Sequence, residues 1–189
     1  MRLRLALPLL ACVPLFAQQA GIGTKLGDFA LADLDGKTTP VAVSGGVTVV
    51  VFISTRCPIS NDYHERMNGV YADYRARGVR FYFANANANE PVAEMRAHAK
   101  EAGFGFPVFR DAGNVVADRL GATHTPESFV IDSSGVLRYH GYIDDARNPA
   151  RVRNSGLRAA LDAVLSGVAV EKSETKAFGC TIKRARGVS

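Results

Sequence analysis

The sequence predicts an α/β protein in which helices flank a mixed central sheet. A continuous β-branched run at residues 47–53 (VTVVVFI) is typical of a strand that is buried on both faces, and the run at residues 79–84 (VRFYFA) indicates a second central strand. Segments in which apolar residues recur at helical spacing alternate with these runs. Later in the chain, two further strand-like runs flank residues 132–135 (DSSG), a turn sequence. Alternating strands and helices followed by a hairpin favour one mixed sheet covered by helices.

The predicted elements follow in order along the chain. Phe29 and Leu31 alternate with small or polar residues, and Asp35-Gly36 indicates a hairpin turn after them. After the first buried run, we expect one helix over residues 60–77, ended by Gly78. The remaining elements are a helix at 91–102, a strand at 106–109, a short helix capped by Asn114, strands at 128–131 and 136–143, and a helix at 155–166.

Residues 1–17 are typical of a secretory signal sequence. They begin with Arg2 and Arg4, continue as an apolar run and end at the small residue Ala17. The apolar run is too short to span a bilayer, so we predict no stable membrane span after cleavage. Cys12 follows Leu-Leu-Ala, which suggests a lipoprotein site, but the apolar run continues past it and favours a simple signal. We therefore predict an exported protein, periplasmic or secreted, with lipid anchoring at Cys12 as the less favoured alternative.

The charges divide the mature chain into a near-neutral body and a basic tail. The net charge of the whole chain is +5, and loss of the two leader arginines reduces it to +3. Residues 168–189 carry five basic and two acidic residues, which accounts for that +3. We find no basic face interleaved with aromatic residues, so we exclude nucleic-acid binding. The sequence thus predicts one domain at residues 25–167 and a basic tail at 168–189.

Export to an oxidising compartment makes the cysteines informative. The chain has three cysteines, and removal of the leader leaves Cys57 and Cys180. Two cysteines are too few for a disulfide framework, and no Cys/His pair has the spacing of a zinc site. We therefore predict no metal and no cofactor.

Cys57 lies in residues 55–60 (TRCPIS), between a buried strand and a helix. Pro58 suits the first position of a helix, which makes Cys57 the N-cap. The backbone N–H groups of Ile59 and Ser60 and the positive end of the helix then face the sulfur and favour its thiolate form. A cysteine at a helix N-terminus is typically reactive, so we predict that Cys57 is the working thiol.

The order of these motifs resembles the thioredoxin fold. In this sequence, a strand leads through C-P-x-S at residues 57–60 into a helix, and Thr125-Pro126 later precedes another strand. Residues 27–37 (GDFALADLDGK) resemble the redoxin branch, which comprises the alkyl hydroperoxide reductase/thiol-specific antioxidant relatives. The resemblance covers about residues 25–167. It implies that Pro126 is a cis-proline opposite Cys57 and that Thr125 presents backbone groups to a bound substrate chain.

The chain departs from these relatives around the cysteine. Ser60 stands where thioredoxins have their second cysteine, so a local two-cysteine cycle is excluded, although Ser60 can hydrogen-bond the sulfur. Only one residue separates Thr55 from Cys57, and the upstream proline of the peroxiredoxin pattern P-x-x-x-T-x-x-C is missing. The C-x-x-x-C pattern of copper-chaperone relatives is absent as well.

Cys180 is the candidate for the missing second thiol. It lies 13 residues after Gly167, which gives the tail a reach of roughly 40 Å. The radius of gyration of such a domain is only about 15 Å. Phe178 and Ile182 can anchor the segment, and the neighbouring glycine suits a close backbone approach. We expect that Cys180 can reach Cys57, with an unpaired tail thiol as the alternative.

Three functions are compatible with this sequence. The favoured one is thiol–disulfide exchange with a protein thiol or disulfide in the cell envelope, in which Cys57 attacks and Cys180 or an external thiol resolves the mixed disulfide. The second is a peroxiredoxin-like peroxidase that forms a Cys57 sulfenic acid, with Thr55 as a hydroxyl partner. The third is a non-enzymatic module that binds a partner protein, or binds copper(I) through Cys57, Cys180 and His124. The electron donor is not specified by any of these patterns.

Overall fold

The computed structural model describes residues 19–185. The signal sequence expected at residues 1–17, with Cys12, lies outside this range. Within residues 19–185, no helix combines the length and the apolar character needed to cross a bilayer.

Within residues 19–185, nine strands form two sheets. The strands are β1 (Phe29–Asp33), β2 (Thr38–Val41), β3 (Thr48–Ile53), β4 (Arg80–Asn85), β5 (Val108–Arg110), β6 (His124–Thr125), β7 (Glu127–Ile131), β8 (Leu137–Gly141) and β9 (Cys180–Thr181). Seven of them make one sheet in the order β2-β1-β5-β4-β3-β7-β8, and β6 pairs with β9. In the large sheet, β3, β4 and β5 are parallel, whereas β7 is antiparallel to β3 and to β8. The mixed central sheet confirms the predicted fold class.

Five α-helices in the described part of the chain flank the sheet. They are α1 (Pro58–Asn61), α2 (His64–Arg75), α3 (Val92–Glu101), α4 (Val115–Leu120) and α5 (Gly156–Leu165). The single helix expected over residues 60–77 is wrong, because the chain breaks between α1 and α2. The N–H of Tyr63 bonds to the carbonyl of Ser60, only three residues back, which ends the α-helical ladder. The Tyr63 side chain turns inward instead, and its hydroxyl donates to the buried carboxylate of Asp144 at 2.8 Å.

The apolar run at residues 47–53 forms β3, all six residues of which are buried. Alternate side chains of a strand point to opposite faces of a sheet. Val49 and Val51 therefore lie in the cluster beneath α2 and α5, whereas Val50 and Phe52 lie in the cluster beside α4. Because β3 is buried on both faces, its carboxyl end is a rigid base for the loop that carries Cys57.

A partly buried aromatic cluster joins α2 to α3. His64 and His98 meet with their ring centroids 5.0 Å apart, and both contact the ring of Phe104, at 4.7 and 5.4 Å. Burial lowers the pKa of His64, the charge of His98 lowers it further, and Asp62 opposes both effects. Burial also lowers the pKa of His98, against the charges of three nearby glutamates. The fold therefore favours the neutral form of both rings.

We expect the protein to lose stability as the pH falls below about 6.5, the usual pKa of histidine. Both histidines have a folded-state pKa below the unfolded value, so their contribution is complete above the unfolded pKa and is lost as the pH falls through the folded one. In urea denaturation between about pH 7.5 and pH 5, His98→Gln should lose less free energy of unfolding than the wild type. His124→Gln, which changes a ring outside the cluster, should match the wild type. An equal loss in all three proteins would contradict this account.

Candidate active site

Cys57 caps the N-terminus of α1, as the sequence predicts. Its backbone is extended, with φ −84° and ψ 113°, and the N–H of Ser60 donates to its sulfur at 3.4 Å. The Cys57 thiol donates to the carbonyl of Thr125 at 3.2 Å. The Thr125–Pro126 peptide bond is cis, as the resemblance implied. The sulfur thus lies between the N-terminus of α1 and the carbonyl of Thr125. Cys57 is only 2% exposed.

A buried carboxylate, Glu90, holds the loop that precedes Cys57. Its Oε1 accepts from the Ser54 hydroxyl at 2.5 Å. Its Oε2 accepts from the Thr55 N–H at 2.7 Å and from the Asn85 side-chain amide at 2.6 Å. The Ser54 oxygen in turn accepts the N–H of Cys57 at 3.0 Å. A continuous chain of hydrogen bonds therefore runs from Glu90 through Ser54 to the backbone of the cysteine.

Sequence reasoning missed Glu90. The available signal was its position after β4, since the carboxyl ends of the parallel strands β3 and β4 meet at one edge of the sheet. Cys57 follows β3 at this edge, and Asn85 and Glu90 lie at the end of β4 and in the loop after it. A charged residue in that loop is therefore placed to support the cysteine.

The side chains of Thr55 and Ser60 support the loop and do not bond the sulfur. The Thr55 hydroxyl accepts from the Asn85 amide at 3.3 Å, so it gives no support to its role as a partner of a Cys57 sulfenic acid. The Ser60 hydroxyl accepts from the N–H of Ser54 at 3.2 Å. Ser60 does hydrogen-bond the sulfur, as expected, but through its backbone N–H and not through this hydroxyl. At 1% exposure, Ser60 also presents no surface to a substrate in this conformation.

The C-terminal segment returns across the site and brings Cys180 to Cys57. Strand β9 pairs antiparallel with β6, so that Cys180 lies opposite Thr125 and Thr181 lies opposite His124. The Thr125 hydroxyl donates to the Cys180 carbonyl at 3.4 Å. The N–H of Ile182 donates to the carbonyl of the residue before His124 at 2.9 Å. Both cysteines are free thiols in this arrangement.

The environment of Cys180 disfavours its thiolate. Burial raises the pKa of the Cys180 thiol to about 11, helped by a hydrogen bond with Cys57 and by the charge of Cys57. The backbone N–H of Ile59 opposes this rise in the pKa. The sequence predicted that the N–H groups of both Ile59 and Ser60 face the Cys57 sulfur. In the structure, the N–H of Ser60 donates to the Cys57 sulfur, whereas the N–H of Ile59 lowers the pKa of Cys180.

The copper-binding arrangement considered for Cys57, Cys180 and His124 is not assembled. In the described part of the chain, no three His, Cys, Asp or Glu side chains are grouped so that they could hold a metal ion. The His124 ring is occupied elsewhere, with its Nδ1 2.8 Å from the Thr123 hydroxyl.

Comparison with known proteins assigns the chain to a family. Residues 22–140 match the model of the AhpC/TSA family. The chain belongs to this family. Thiol-disulfide oxidoreductase ResA of Halalkalibacterium halodurans is 28% identical over 123 residues, which cover 64% of this chain and 69% of ResA.

Two solved structures are similar to this protein in fold. A hypothetical protein of Sinorhizobium meliloti 1021 shares 34% identity with a TM-score of 0.78, over 90% of this chain and 98% of its own. A thiol:disulfide interchange protein of the thioredoxin family from Chlorobium tepidum TLS shares 24% identity with a TM-score of 0.59, over 77% and 98% of the two chains, and supports the fold alone. The fold is thioredoxin-like, of the redoxin branch, and the protein is a thiol-dependent oxidoreductase.

Proposed function

We propose that this protein is an exported thiol–disulfide oxidoreductase in which Cys57 is the nucleophile and Cys180 is the resolving thiol. The observation that carries the proposal is the pairing of Cys180 with Thr125, which sets a second thiol beside Cys57 at the residue before Pro126. The leader-like residues 1–17 support export. The name of the ResA relatives supports disulfide exchange as the reaction.

The reaction consists of two exchange steps. The Cys57 thiolate attacks one sulfur of a substrate disulfide, and the other substrate sulfur leaves as a thiolate that takes up a proton. Cys180 then attacks the Cys57 sulfur, forms a Cys57–Cys180 disulfide and releases the second substrate thiol. The substrate disulfide gains two electrons, and the two protein thiols lose them. An external thiol donor reduces the protein for the next cycle.

The charges at the site favour this order of attack. Part of the rise in the pKa of Cys180 comes from its hydrogen bond with Cys57 and from the Cys57 charge. Once Cys57 is in a mixed disulfide, its sulfur carries no charge and no proton. Both of these effects then disappear, so the pKa of Cys180 falls and its thiolate forms more readily for the second step. Burial, the largest cause of the raised pKa, is lost when the segment leaves the site.

The deciding experiment follows the oxidation of each cysteine separately. Trypsin cleavage yields Cys57 in residues 57–66 (CPISNDYHER) and Cys180 in residues 177–183 (AFGCTIK), which mass spectrometry can resolve. Reduced protein is mixed with a disulfide-bonded peptide and, separately, with hydrogen peroxide. We expect the disulfide to oxidise Cys57 faster than an equal concentration of peroxide.

Two variants assign the roles. Cys180→Ser should accumulate a mixed disulfide between Cys57 and the substrate, because the second step is blocked. Cys57→Ser should form no mixed disulfide with the substrate. If peroxide oxidises Cys57 faster than the disulfide does, the protein is a peroxidase and the proposal is wrong.

A further inference from the structure

The C-terminal segment lies in a groove beside Cys57, and we call residues 177–183 (AFGCTIK) the docked strand. Ala177 is buried at 8% exposure, and three further side chains of the strand face the domain. Phe178 meets the ring of Tyr63 edge-on at 6.2 Å, Cys180 lies at Cys57, and Ile182 is 3% exposed in the cluster beside α4. Thr181 is exposed. The strand therefore fills two apolar sites, each two residues from its cysteine.

The position before the cysteine accepts only glycine. Gly179 has φ +151°, and a Cβ built on it would lie 2.0 Å from the carbonyl oxygen of Thr125. A real Cβ never approaches backbone oxygen so closely, so any other residue there must push the strand away from β6. The groove thus restricts the residue at this position by the close approach of two backbones.

The other hydrogen bonds of the docked strand are made by its backbone and are independent of its side chains. Beyond the cysteine, the N–H of Lys183 donates to the Asn87 side chain at 2.9 Å, and its carbonyl accepts from the N–H of Ala88 at 2.8 Å. Together with the pairing to β6, these bonds hold an extended chain of any sequence. Selection is confined to the glycine position and the two apolar sites.

We propose that this groove is the docking site for protein substrates, and that a substrate binds there by displacing the docked strand. The favoured substrate is an extended segment with a disulfide-bonded cysteine in the place of Cys180, a glycine just before it, and apolar side chains two residues away on both sides. The inference rests on the proposed function. Cys57 is 2% exposed while the docked strand is bound, and Thr125 already pairs with Cys180. Substrate and docked strand therefore exclude each other, as two strands competing for one sheet edge.

The test uses a chain with Cys12→Ser and Cys180→Ser, in which Cys57 is the only thiol. The parent probe is a peptide of residues 176–184 (KAFGCTIKR) whose cysteine is joined in a disulfide to thionitrobenzoate. Attack by Cys57 forms a Cys57–peptide disulfide and releases coloured thionitrobenzoate. One comparison peptide has valine in place of the glycine, and another has serine at both apolar positions. Dithionitrobenzoate, a small disulfide, serves as the reference.

We expect the parent peptide to react at least about tenfold faster than either comparison peptide, a difference of about 1.4 kcal/mol. Equal rates for the three peptides, with rapid attack on dithionitrobenzoate, would overturn this inference and leave the proposed function intact. If Cys57 attacks none of the disulfides, the proposed function itself fails.

Replacing the glycine in the protein should have the opposite effect to replacing it in the peptide. Gly179→Ala in the test chain should expel the docked strand and raise the rate with the parent peptide, because the competitor is weakened. Gly21→Ala, where a Cβ meets nothing within 4 Å, is the matched control and should leave the rate unchanged. Faster trypsin cleavage after Lys176 would verify release of the strand. A released strand with no rise in rate would show that substrates bind elsewhere.

Discussion

Oxidation of the reduced protein should raise its free energy of unfolding by about 5 kcal/mol through a Cys57–Cys180 disulfide. The bond would close a loop of about 120 residues, and the cost of closing a loop in the unfolded chain grows with its length. The folded chain already brings the two cysteines into one site, because Cys180 pairs with Thr125 and the Cys57 thiol donates to the Thr125 carbonyl. The stabilisation therefore arises mainly in the unfolded state.

Denaturant unfolding of the oxidised and reduced forms measures this difference. The variant Cys180→Ser is the control, since it cannot close the loop and should unfold at the same denaturant concentration with and without reductant. Reduction should also make the tail more sensitive to trypsin near Lys172 and Lys176, because only hydrogen bonds and packing then hold the docked strand. Peptide maps of oxidised protein that show both cysteines unpaired would contradict the prediction.

The sequence predicted those parts of the site that depend on neighbouring residues. The run at 47–53 identified β3, and Pro58 identified Cys57 as an N-cap, because both signals are contained within a few residues. The cis bond before Pro126 came from the resemblance to the thioredoxin fold. Chain length alone showed that Cys180 could reach Cys57. How it does so was not predictable, because β6 and β9 are two residues each and too short to show a periodicity.

The features that sequence analysis missed depend on contacts between distant segments. The helix expected over residues 60–77 breaks because Tyr63 is drawn inward to Asp144, 81 residues later in the chain. Glu90 becomes important only because β4 lies beside β3. In each case the tertiary fold brings a polar side chain to its partner, and the local spacing of residues does not indicate that partner.

Glu90→Ala should lower the free energy of unfolding by about 3–5 kcal/mol, because three donors around the buried carboxylate lose their acceptor. The substitution would leave the Ser54 hydroxyl, the Thr55 N–H and the Asn85 amide without their acceptor. Each unpaired buried donor costs about 1–3 kcal/mol, and partial rehydration reduces the total. Because Ser54 also accepts the N–H of Cys57, the variant should loosen the cysteine loop as well.

Glu94→Ala is the matched control for this loss. Glu94 also bonds the cysteine loop, through two hydrogen bonds to Arg56 at 2.7 and 2.6 Å, but the two side chains are 34% and 50% exposed. An exposed ion pair contributes little to stability because solvent screens it, so Glu94→Ala should lose much less free energy of unfolding in urea denaturation than Glu90→Ala. Glu90→Gln, which keeps the shape and one acceptor oxygen, should fall between them and provides a measurement if the alanine variant does not fold. Equal stabilities for Glu90→Gln and Glu94→Ala, with Glu90→Ala no lower, would show that solvent replaces the carboxylate without cost. The carboxylate would then not hold the loop.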